Sequence, residues 1–435
     1  MLDIRVIRND RQAIEAALRK RIDPIEVENA LNQILELDKR RRNLIQIVEA
    51  ARSAKKTISR QIGSSGRDGG AVEPASEPKD VTEAVQQLRE IEETLHLRMS
   101  ELPNIPADDV VAGGKESNKI VRTWGTRPQL ADPVDHAQLA TRLALVDHVR
   151  GVKLGGSGFW IYTGMGARLE WALVNYFINE HIAAGYTFMI PPHLLLESAG
   201  YSAGQFPKFY DDVYHIESNE SARGQFLLPT AETAILGAYQ DEILDEPQLP
   251  IKAFAYTPCY RRERAGSHSE EKGTVRGHQF NKVEIFQFVT PENAQATFDE
   301  MVARVEHLVG ALGLHYQTSL LSAGDTSAAM RKTFDVEVWI PSIGRYKEVS
   351  SVSWAGDYQA RRANIRYRAG HTRQTGFVHT LNGSALATSR VFPAILEQCQ
   401  QPDGSVIVPE VLRPFMGGVE RIGKPEGDKA KEHRP

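Results

Sequence analysis

The sequence has few cysteines and no long apolar segment. Only Cys259 and Cys399 occur in 435 residues, too few for a disulfide framework or a cysteine-rich zinc site. The first ten residues, MLDIRVIRND, lack the apolar core of a secretory signal, and no uninterrupted apolar run is long enough to cross a bilayer. These absences predict a cytoplasmic protein with reduced thiols and no membrane partner.

The chain also has little net charge and no glycine-rich phosphate loop. Its 52 lysine and arginine residues nearly balance 56 aspartate and glutamate residues, which leaves −4. A surface that binds nucleic acid must therefore be local. Neither a G-x-x-x-x-G-K-[ST] motif nor a strand-linked G-x-G-x-x-G motif is present. If the protein binds a nucleotide, its side chains must hold the phosphates.

Residues 1–106 have the pattern of long helices. Apolar or aliphatic-stem side chains recur at alternating intervals of four and three in a first stripe: Leu37, Arg41, Leu44, Val48, Ala51, Lys55, Ile58 and Ile62. A second stripe follows the Gly- and Pro-containing segment 63–80: Val81, Val85, Leu88, Glu92, Leu95, Met99 and Leu102. The pattern predicts an antiparallel coiled-coil hairpin roughly 50 Å long.

This hairpin could pack on the rest of the protein or project from it. The first stripe is interrupted by cationic runs, DKRRRN at 38–43 and RSAKK at 52–56. Clustered lysines and arginines favour a projecting arm that contacts a polyanion.

From residue 107 onward, short β-rich runs alternate with helices and loops. Residues 167–186 have a helical period, whereas 251–263, 278–289, 334–341 and 344–353 have the composition of strands. Hairpin-type loops link these strands, which predicts a mostly antiparallel sheet with helices on one side, an α+β fold. We expect an arm at 1–106, a main domain at 107–420 and a disordered, charged tail at 421–435.

Arginines flank a polar, partly acidic loop in the segment 260–286. On a strand–loop–strand hairpin, Arg261 and Arg276 can face one pocket, where guanidinium groups bind phosphate or carboxylate bidentately. On the two-residue period of a strand, Glu263 shares the face of Arg261, and Phe280 shares that of Arg276. The Phe280 ring could cover a base. The alternative is a solvated cationic hairpin.

Two further pairs of polar residues indicate ligand contacts. Glu348 and Ser351 lie three residues apart near a strand end, and their oxygens suit Mg²⁺. The alternative is a surface glutamate beside a turn serine. Thr230 and Glu232 would share a face if their segment were extended, and a partly buried Glu232 would need a partner such as a ligand amine.

Several motifs together resemble a known family. Asn382 and Ser384 precede Arg390, which lies just before or at the start of an apolar helix. Together with PTAE, TPCYRRE, HQFNKVE, FDVEVWIP, DYQARR and HTLNGS, this segment resembles the class II aminoacyl-tRNA synthetases, and specifically the seryl-tRNA synthetases. The resemblance spans nearly the whole chain, from MLDIRVIR to VIVPEVLRPFM. A helical N-terminal arm is also the tRNA-binding device of that family.

The resemblance implies an activity. The family forms seryl-adenylate from L-serine and ATP with Mg²⁺ and transfers the seryl group to tRNA(Ser). It implies a class II synthetase sheet flanked by helices, the N-terminal arm as the tRNA-binding part, and a homodimer in which Pro192, or Pro191, matches the interface proline.

It also implies roles for individual residues. The implied catalytic residues are Arg261, Arg276 and Arg390. The implied ATP contacts are Arg261, Glu263, Arg276, Phe280, Glu348, Ser351 and Arg390, of which Glu348 and Ser351 would bind Mg²⁺. The implied serine pocket comprises Thr230, Glu232, Arg261, Glu284, Asn382 and Ser384.

Some segments depart from the family pattern. Where the family has GS-x-GRDTRG, this chain has an acidic loop, Ser267–Lys272, which should repel tRNA phosphates. Ala385 and Ser389 stand where glycines are usual. These departures predict a specialised paralogue, serving a biosynthetic pathway or tolerating an inhibitor. Three alternatives are a ligase that loads serine on a non-tRNA acceptor, a non-catalytic binding protein and a coiled-coil scaffold.

Overall fold

The computed structural model describes residues 1–65, 79–217, 224–263, 273–370 and 374–423. The acidic loop Ser267–Lys272 and most of the predicted tail lie outside the described residues. The chain divides into two compact units, Met1–Ile105 and Pro106–Pro435. No helix within the described residues is long and apolar enough to cross a membrane.

The described part of the first unit is helical. Its helices are α1 (Ile4–Asn9), α2 (Arg11–Leu18), α3 (Pro24–Ser65) and α4 (Lys79–Glu101). Asp3 and Asp10 cap the two short helices by accepting backbone N–H bonds from Arg5 and Ala13. The 42 residues of α3 make a helix about 63 Å long. α3 and α4 pack against each other, and the apolar side chains buried in this unit include Val27, Leu31, Ile34, Val48, Ala84, Leu95 and Met99.

The apolar stripe of α4 differs from the predicted one at two positions. Val85 is 38% exposed and Glu92 is exposed, whereas Ala84 is buried and Ile91 is half-buried. Adjacent helix positions compete for the inner face. Burying Glu92 would desolvate a carboxylate, and Ala84 is the smaller of the two adjacent apolar side chains.

A buried carboxylate organises part of the cationic cluster. Asp38 on α3 is fully buried and pairs with Arg8 at 3.0 Å, Arg42 at 3.1 Å and Arg41 at 3.8 Å. Arg41, predicted as part of the first stripe, is half-buried. Three arginines therefore surround one negative charge.

All the strands found in the described residues lie in the second unit. In chain order they are β1 (Lys119–Trp124), β2 (Val146–Asp147), β3 (Ile161–Tyr162), β4 (Thr187–Met189), β5 (Leu194–Leu196), β6 (His215–Ile216), β7 (Gln225–Leu227), β8 (Ile243–Asp245), β9 (Ile251–Tyr260), β10 (Gln279–Val289), β11 (Tyr316–Leu320), β12 (Lys332–Ile340), β13 (Arg345–Gly356), β14 (Arg366–Arg368), β15 (Thr375–Phe377), β16 (His379–Ala387), β17 (Val406–Ile407) and β18 (Arg421–Ile422). Its helices are α5 (His136–Arg142), α6 (His148–Gly155), α7 (Gly164–Ala183), α8 (Glu197–Ala203), α9 (Ala231–Ala238), α10 (Ala294–Ala311), α11 (Tyr358–Ala363) and α12 (Thr388–Gln398).

The main sheet of the described residues has eight strands in the order β1-β11-β12-β13-β16-β10-β9-β4. Every neighbouring pair is antiparallel except β4 and β9, which are parallel. The predicted α+β fold with an antiparallel sheet is confirmed. Small sheets of two or three strands, such as β5-β7-β6, surround it.

Side-chain alternation gives the large sheet two different faces. Val283 and Ile285 on β10 join a core that includes side chains of α7, α10 and α12. Phe286 and Phe288 point to the opposite face and pack with α9 and α11. The prediction of helices on one side of the sheet was therefore wrong at this end. Here Phe286 and Phe288 form a second apolar surface, which α9 and α11 cover. The remainder of that face is polar.

Helix α7 carries the apolar period predicted for 167–186. Leu169, Leu173 and Phe177 recur every four residues and are fully buried. The helix ends before Gly185, whose φ of 78° is the left-handed conformation that stops a helix.

A buried carboxylate on α7 joins three elements. Glu170 Oε1 accepts hydrogen bonds from Asn281 Nδ2 on β10 at 2.8 Å and from Thr388 Oγ1 on α12 at 2.5 Å. Burial raises the pKa of Glu170 from 4.5 to about 7. At a pH between these two pKa values, Glu170 is protonated in the folded protein and ionised in the unfolded chain. The resulting stabilisation is complete below pH 4.5 and is lost as the pH rises through 7.

We expect Glu170→Gln to remove this pH dependence, because the amide oxygen can still accept both bonds. Between pH 5 and pH 8 the free energy of unfolding of the wild type should fall by up to about 3 kcal/mol more than that of the variant. Thermal unfolding at both pH values measures the difference. Parallel curves would show that Glu170 does not titrate as described.

Candidate active site

A cavity of about 530 Å³ lies on the polar face of the main sheet. β10, β13 and β16 form its floor, the start of α9 and the first turn of α12 contribute to its walls, and the segments next to β9 and β10 complete it. All the predicted site residues line this cavity: Thr230, Glu232, Arg261, Glu263, Arg276, Phe280, Glu284, Glu348, Ser351, Asn382, Ser384 and Arg390. Ser389 lines it as well, whereas Pro191 and Pro192 lie just beyond β4.

Arg261 lies one residue past β9. Its backbone N–H donates to the His278 carbonyl at 2.9 Å, which continues the β9–β10 pairing. The guanidinium carbon lies 5.2 Å from the centre of the Phe280 ring, and Nε donates to the Pro229 carbonyl at 3.4 Å. The sheet end thus holds a cation beside an aromatic face.

Arg276 lies before β10 and is paired within the cavity. Its Nε donates a hydrogen bond to the Glu263 carboxylate. Nη2 of the same guanidinium group forms an ion pair with that carboxylate. The structure therefore brings Arg276 and Glu263 together, and their opposite charges neutralise each other.

Arg390 is anchored through backbone carbonyls. It lies in the first turn of α12, where Nε donates to the Val275 carbonyl at 3.0 Å and Nη1 to the Glu348 carbonyl at 2.8 Å. The Glu348 carboxylate is 4.0 Å away. These contacts fix the guanidinium near the loop that carries Arg276.

Thr230 and Glu232 are not on an extended segment, so that reading was wrong. Thr230 is the N-cap of α9, and its Oγ1 accepts the backbone N–H of Glu232 at 3.3 Å. A threonine before a glutamate-containing first turn favours a helix start over a strand. Both side chains still line the cavity.

A buried ion pair missed by the sequence analysis lies beside Thr230. Lys282 Nζ pairs with the Glu284 carboxylate and donates to Thr230 Oγ1 at 2.6 Å. Thr230 Oγ1 in turn donates to Glu284 Oε2 at 3.3 Å. Lys282 could have been found from the sequence, because it precedes Glu284 by two residues and so shares its strand face.

Glu232 is buried at the wall of the cavity. Burial, and then the nearby Glu284 carboxylate, raise the pKa of Glu232 to about 7. Gln359 Nε2 donates to Glu232 Oε1 at 2.6 Å.

Two buried polar atoms of β16 are left without a hydrogen bond in the part of the chain that the structure describes. Asn382 Oδ1 and Ser384 Oγ make no hydrogen bond with any described residue. Ser384 lies directly opposite Glu284 across the β16–β10 pair, so its hydroxyl and that carboxylate share one face. Because an unpaired buried polar atom is costly, these atoms indicate a polar ligand.

Oxygen donors cluster on β12 and β13. Glu348 and Ser351 line the cavity, and Asp335 on β12 lies directly opposite Ser351. Burial, and then Glu348, raise the pKa of Asp335 well above its usual range, and its Oδ1 has no partner among the described residues. This set of hard oxygens fits a magnesium ion. The alternation of Asp335 and Glu337 in FDVEVWIP was the overlooked sequence signal.

Two family models match the chain. Residues 1–106 match the seryl-tRNA synthetase N-terminal domain, and residues 214–399 match the tRNA synthetase class II core domain (G, H, P, S and T). The chain is 50% identical over 426 residues to serine--tRNA ligase 2 of Clostridium acetobutylicum, which covers 96% of this chain and 99% of the relative. It is 39% identical over 437 residues to the serine--tRNA ligase of Syntrophomonas wolfei, which covers 98% and 100%.

Solved structures agree with these relatives. The seryl-tRNA synthetase of Pyrococcus horikoshii complexed with ATP superposes with a TM-score of 0.87 at 30% identity, covering 98% of this chain and 100% of that one. The cytoplasmic serine-tRNA ligase of Naegleria fowleri in complex with AMP gives 0.83 at 27% identity, covering 98% and 99%. The fold, the cavity and the sequence likeness agree, and this chain belongs to the seryl-tRNA synthetase family of class II aminoacyl-tRNA synthetases.

Proposed function

We propose that the cavity binds ATP and L-serine, forms seryl-adenylate with release of pyrophosphate, and passes the seryl group to the 3' end of tRNA(Ser). We base this proposal on one observation: every residue expected at the ATP and serine sites lines the same cavity. A family member of known structure, from Pyrococcus horikoshii, is complexed with ATP.

The serine site lies around α9 and β10. Glu232 and Thr230 bind the ammonium group, and Arg261 binds the carboxylate. Glu284 and Ser384 bind the hydroxyl group from opposite strands, and Asn382 supplies a further polar contact. A site built to bond a hydroxyl rejects alanine, because its buried polar groups would then go unpaired.

The ATP site lies at the ends of β9 and β10. Phe280 stacks on adenine, and Arg261 binds the α-phosphate. Arg276 and Arg390 bind the γ-phosphate. The triphosphate replaces the Glu263 carboxylate on Arg276, which frees Glu263 to accept a hydrogen bond from adenine.

A magnesium ion fits beside the triphosphate. Glu348 and Ser351 would hold it, with Asp335 directly opposite Ser351. When bound, it neutralises phosphate charge.

The first step needs no nucleophile from the protein, because the serine carboxylate attacks the α-phosphorus. The protein must hold two anions together against their repulsion and support charge on the departing pyrophosphate. Arg261 does the first, and Arg276 and Arg390 do the second. This division explains why the cavity is lined by arginines rather than by a catalytic triad.

The tRNA contact belongs to an N-terminal arm at 1–106, with a catalytic domain at 107–420 and a tail at 421–435. The arginines clustered around Asp38 and the cationic face of α3 support phosphate binding. A homodimer is supported by the concentration of exposed apolar side chains in 149–190, namely Val149, Val152, Leu154, Trp171, Ile182 and Ile190.

Serine-dependent exchange of ATP and pyrophosphate tests the activation step. We expect exchange with serine in a panel of amino acids and a loss of at least about a hundredfold in Arg261→Ala, because one group holds both anions. Arg262→Ala is the matched control, since the neighbouring Arg262 is exposed and outside the cavity lining. Absence of exchange with serine would refute the proposal.

Charging of tRNA(Ser) then tests the transfer step. Exchange without charging would favour the alternative ligase that loads serine on a non-tRNA acceptor.

The hydroxyl contact predicts the effect of Glu284→Gln. We expect the preference for serine over alanine, measured as the ratio of kcat/KM in exchange, to fall about tenfold to a hundredfold. Glu337→Gln is the control, because Glu337 on β12 accepts hydrogen bonds from Gln317 and Ser319 on β11 but does not line the cavity. An unchanged ratio in Glu284→Gln would show that the hydroxyl is recognised elsewhere.

The exposed apolar residues predict the effect of charges on association. We expect the double variant Trp171→Asp with Ile190→Asp to elute at the monomer mass, whereas the wild type elutes as a dimer. Ile343→Asp, at a similarly exposed apolar position, should stay dimeric. Light scattering during gel filtration measures the masses, and a dimeric double variant would place the interface elsewhere.

A further inference from the structure

A buried glutamine outside the predicted site touches the cavity wall. Gln359 on α11 is 1% exposed. Its Nε2 donates to Glu232 Oε1 at 2.6 Å and to the Ala203 carbonyl at 2.9 Å. Its Oε1 accepts from Thr380 Oγ1 at 2.6 Å. One amide thus joins α11 to the end of α8, to α9 and to β16.

The partners fix which way this amide points. The Ala203 carbonyl can only accept a hydrogen bond, and the ionised Glu232 carboxylate can only accept one. A flipped amide would place its oxygen against both acceptors. The nitrogen therefore faces Glu232, and a hydrogen-bond donor is held against this carboxylate.

The surroundings of Glu232 act in opposite directions on its ionisation. Burial and then Glu284 oppose the ionised form, whereas the hydrogen bond from Gln359, and then Lys282 and Arg261, favour it. Gln359 differs from the two cations because it carries no charge. It supports the carboxylate without repelling a positively charged ligand from the same spot.

One oxygen of Glu232 remains available. Among the described residues, the hydrogen bond from Gln359 goes to Oε1, and none is made to Oε2. Gln359 therefore holds one oxygen of the Glu232 carboxylate, and the other oxygen can accept a hydrogen bond from a ligand in the cavity.

We propose that Gln359 is a positioning residue that aims Glu232 at the amino group of serine and lets Glu232 bind it as a carboxylate. This inference rests on the proposed function, in which Glu232 binds the ammonium group. The contrasting possibility is that Gln359 only ties α11 to its neighbours.

Gln359→Met tests the inference, because methionine keeps the length of the side chain and removes the donors. In serine-dependent exchange, we expect the KM for serine to rise about tenfold to a hundredfold, the range for a hydrogen bond to a charged group. The KM for ATP should stay unchanged. Gln287→Met is the matched control: Gln287 is also fully buried, bonds Tyr186 and Glu300, and lies outside the cavity lining.

The pH profile of kcat/KM for serine gives a second readout, since it reports on the free enzyme. In the wild type, serine capture should fall as the pH drops through about 7, where Glu232 becomes protonated. Loss of the Gln359 donor raises the pKa of Glu232, so the midpoint should move to higher pH in Gln359→Met and stay in place in Gln287→Met.

Either of two results would overturn the inference: a wild-type KM and pH profile in Gln359→Met, or equal shifts in both variants. If Gln359→Met does not fold, Thr380→Val replaces it. That change frees the amide, and it should move the KM for serine and the midpoint in the same direction by a smaller factor. Absence of exchange in the wild type would instead be a failure of the proposed function.

Discussion

Successive residues of a strand must point to opposite faces of the sheet, and the rest of the structure depends on this constraint. On β10, Val283 and Ile285 enter the core shared with α7, α10 and α12, while Lys282 and Glu284 enter the cavity. The same few residues therefore stabilise the fold and build the site. Neighbouring strands follow the same rule, which places Ser384 opposite Glu284 and Asp335 opposite Ser351.

A polar sheet face inside a folded protein needs internal partners for its charges. Lys282 pairs with Glu284 because an unpaired buried charge would be costly. The partly exposed Arg276 pairs with Glu263. In the proposed function, the triphosphate displaces Glu263 from Arg276 when it binds. Atoms that have no partner among the described residues, such as Asn382 Oδ1 and Ser384 Oγ, are the ones we assign to serine.

Local sequence patterns could predict what depends on period and spacing. The two-residue strand period placed Arg261, Glu263 and Phe280 around one pocket, and the antiparallel sheet followed from hairpin-type loops. The same reasoning failed for Thr230 and Glu232, because a helix cap and a strand face both accept a threonine two residues before a glutamate. It also missed Asp335, although its strand alternates acidic and apolar residues.

Contacts between distant segments could not be predicted from period and spacing alone. Gln359 reaches Glu232 across 127 positions of the chain, and no local pattern distinguishes it from any other glutamine on a short helix. The choice between Ala84 and Val85 on α4 likewise depends on the packing partner. The acidic loop remains an expectation from the sequence, because it lies outside the described residues.

The most direct test of the account is a crystal structure of this protein with a non-hydrolysable seryl-adenylate analogue. We expect adenine to lie on the Phe280 ring and the ammonium group to lie within hydrogen-bond distance of Glu232. The seryl hydroxyl should lie between Glu284 and Ser384. An analogue bound away from the polar face of the sheet, or one whose ammonium group leaves Glu232 unpaired, would contradict it.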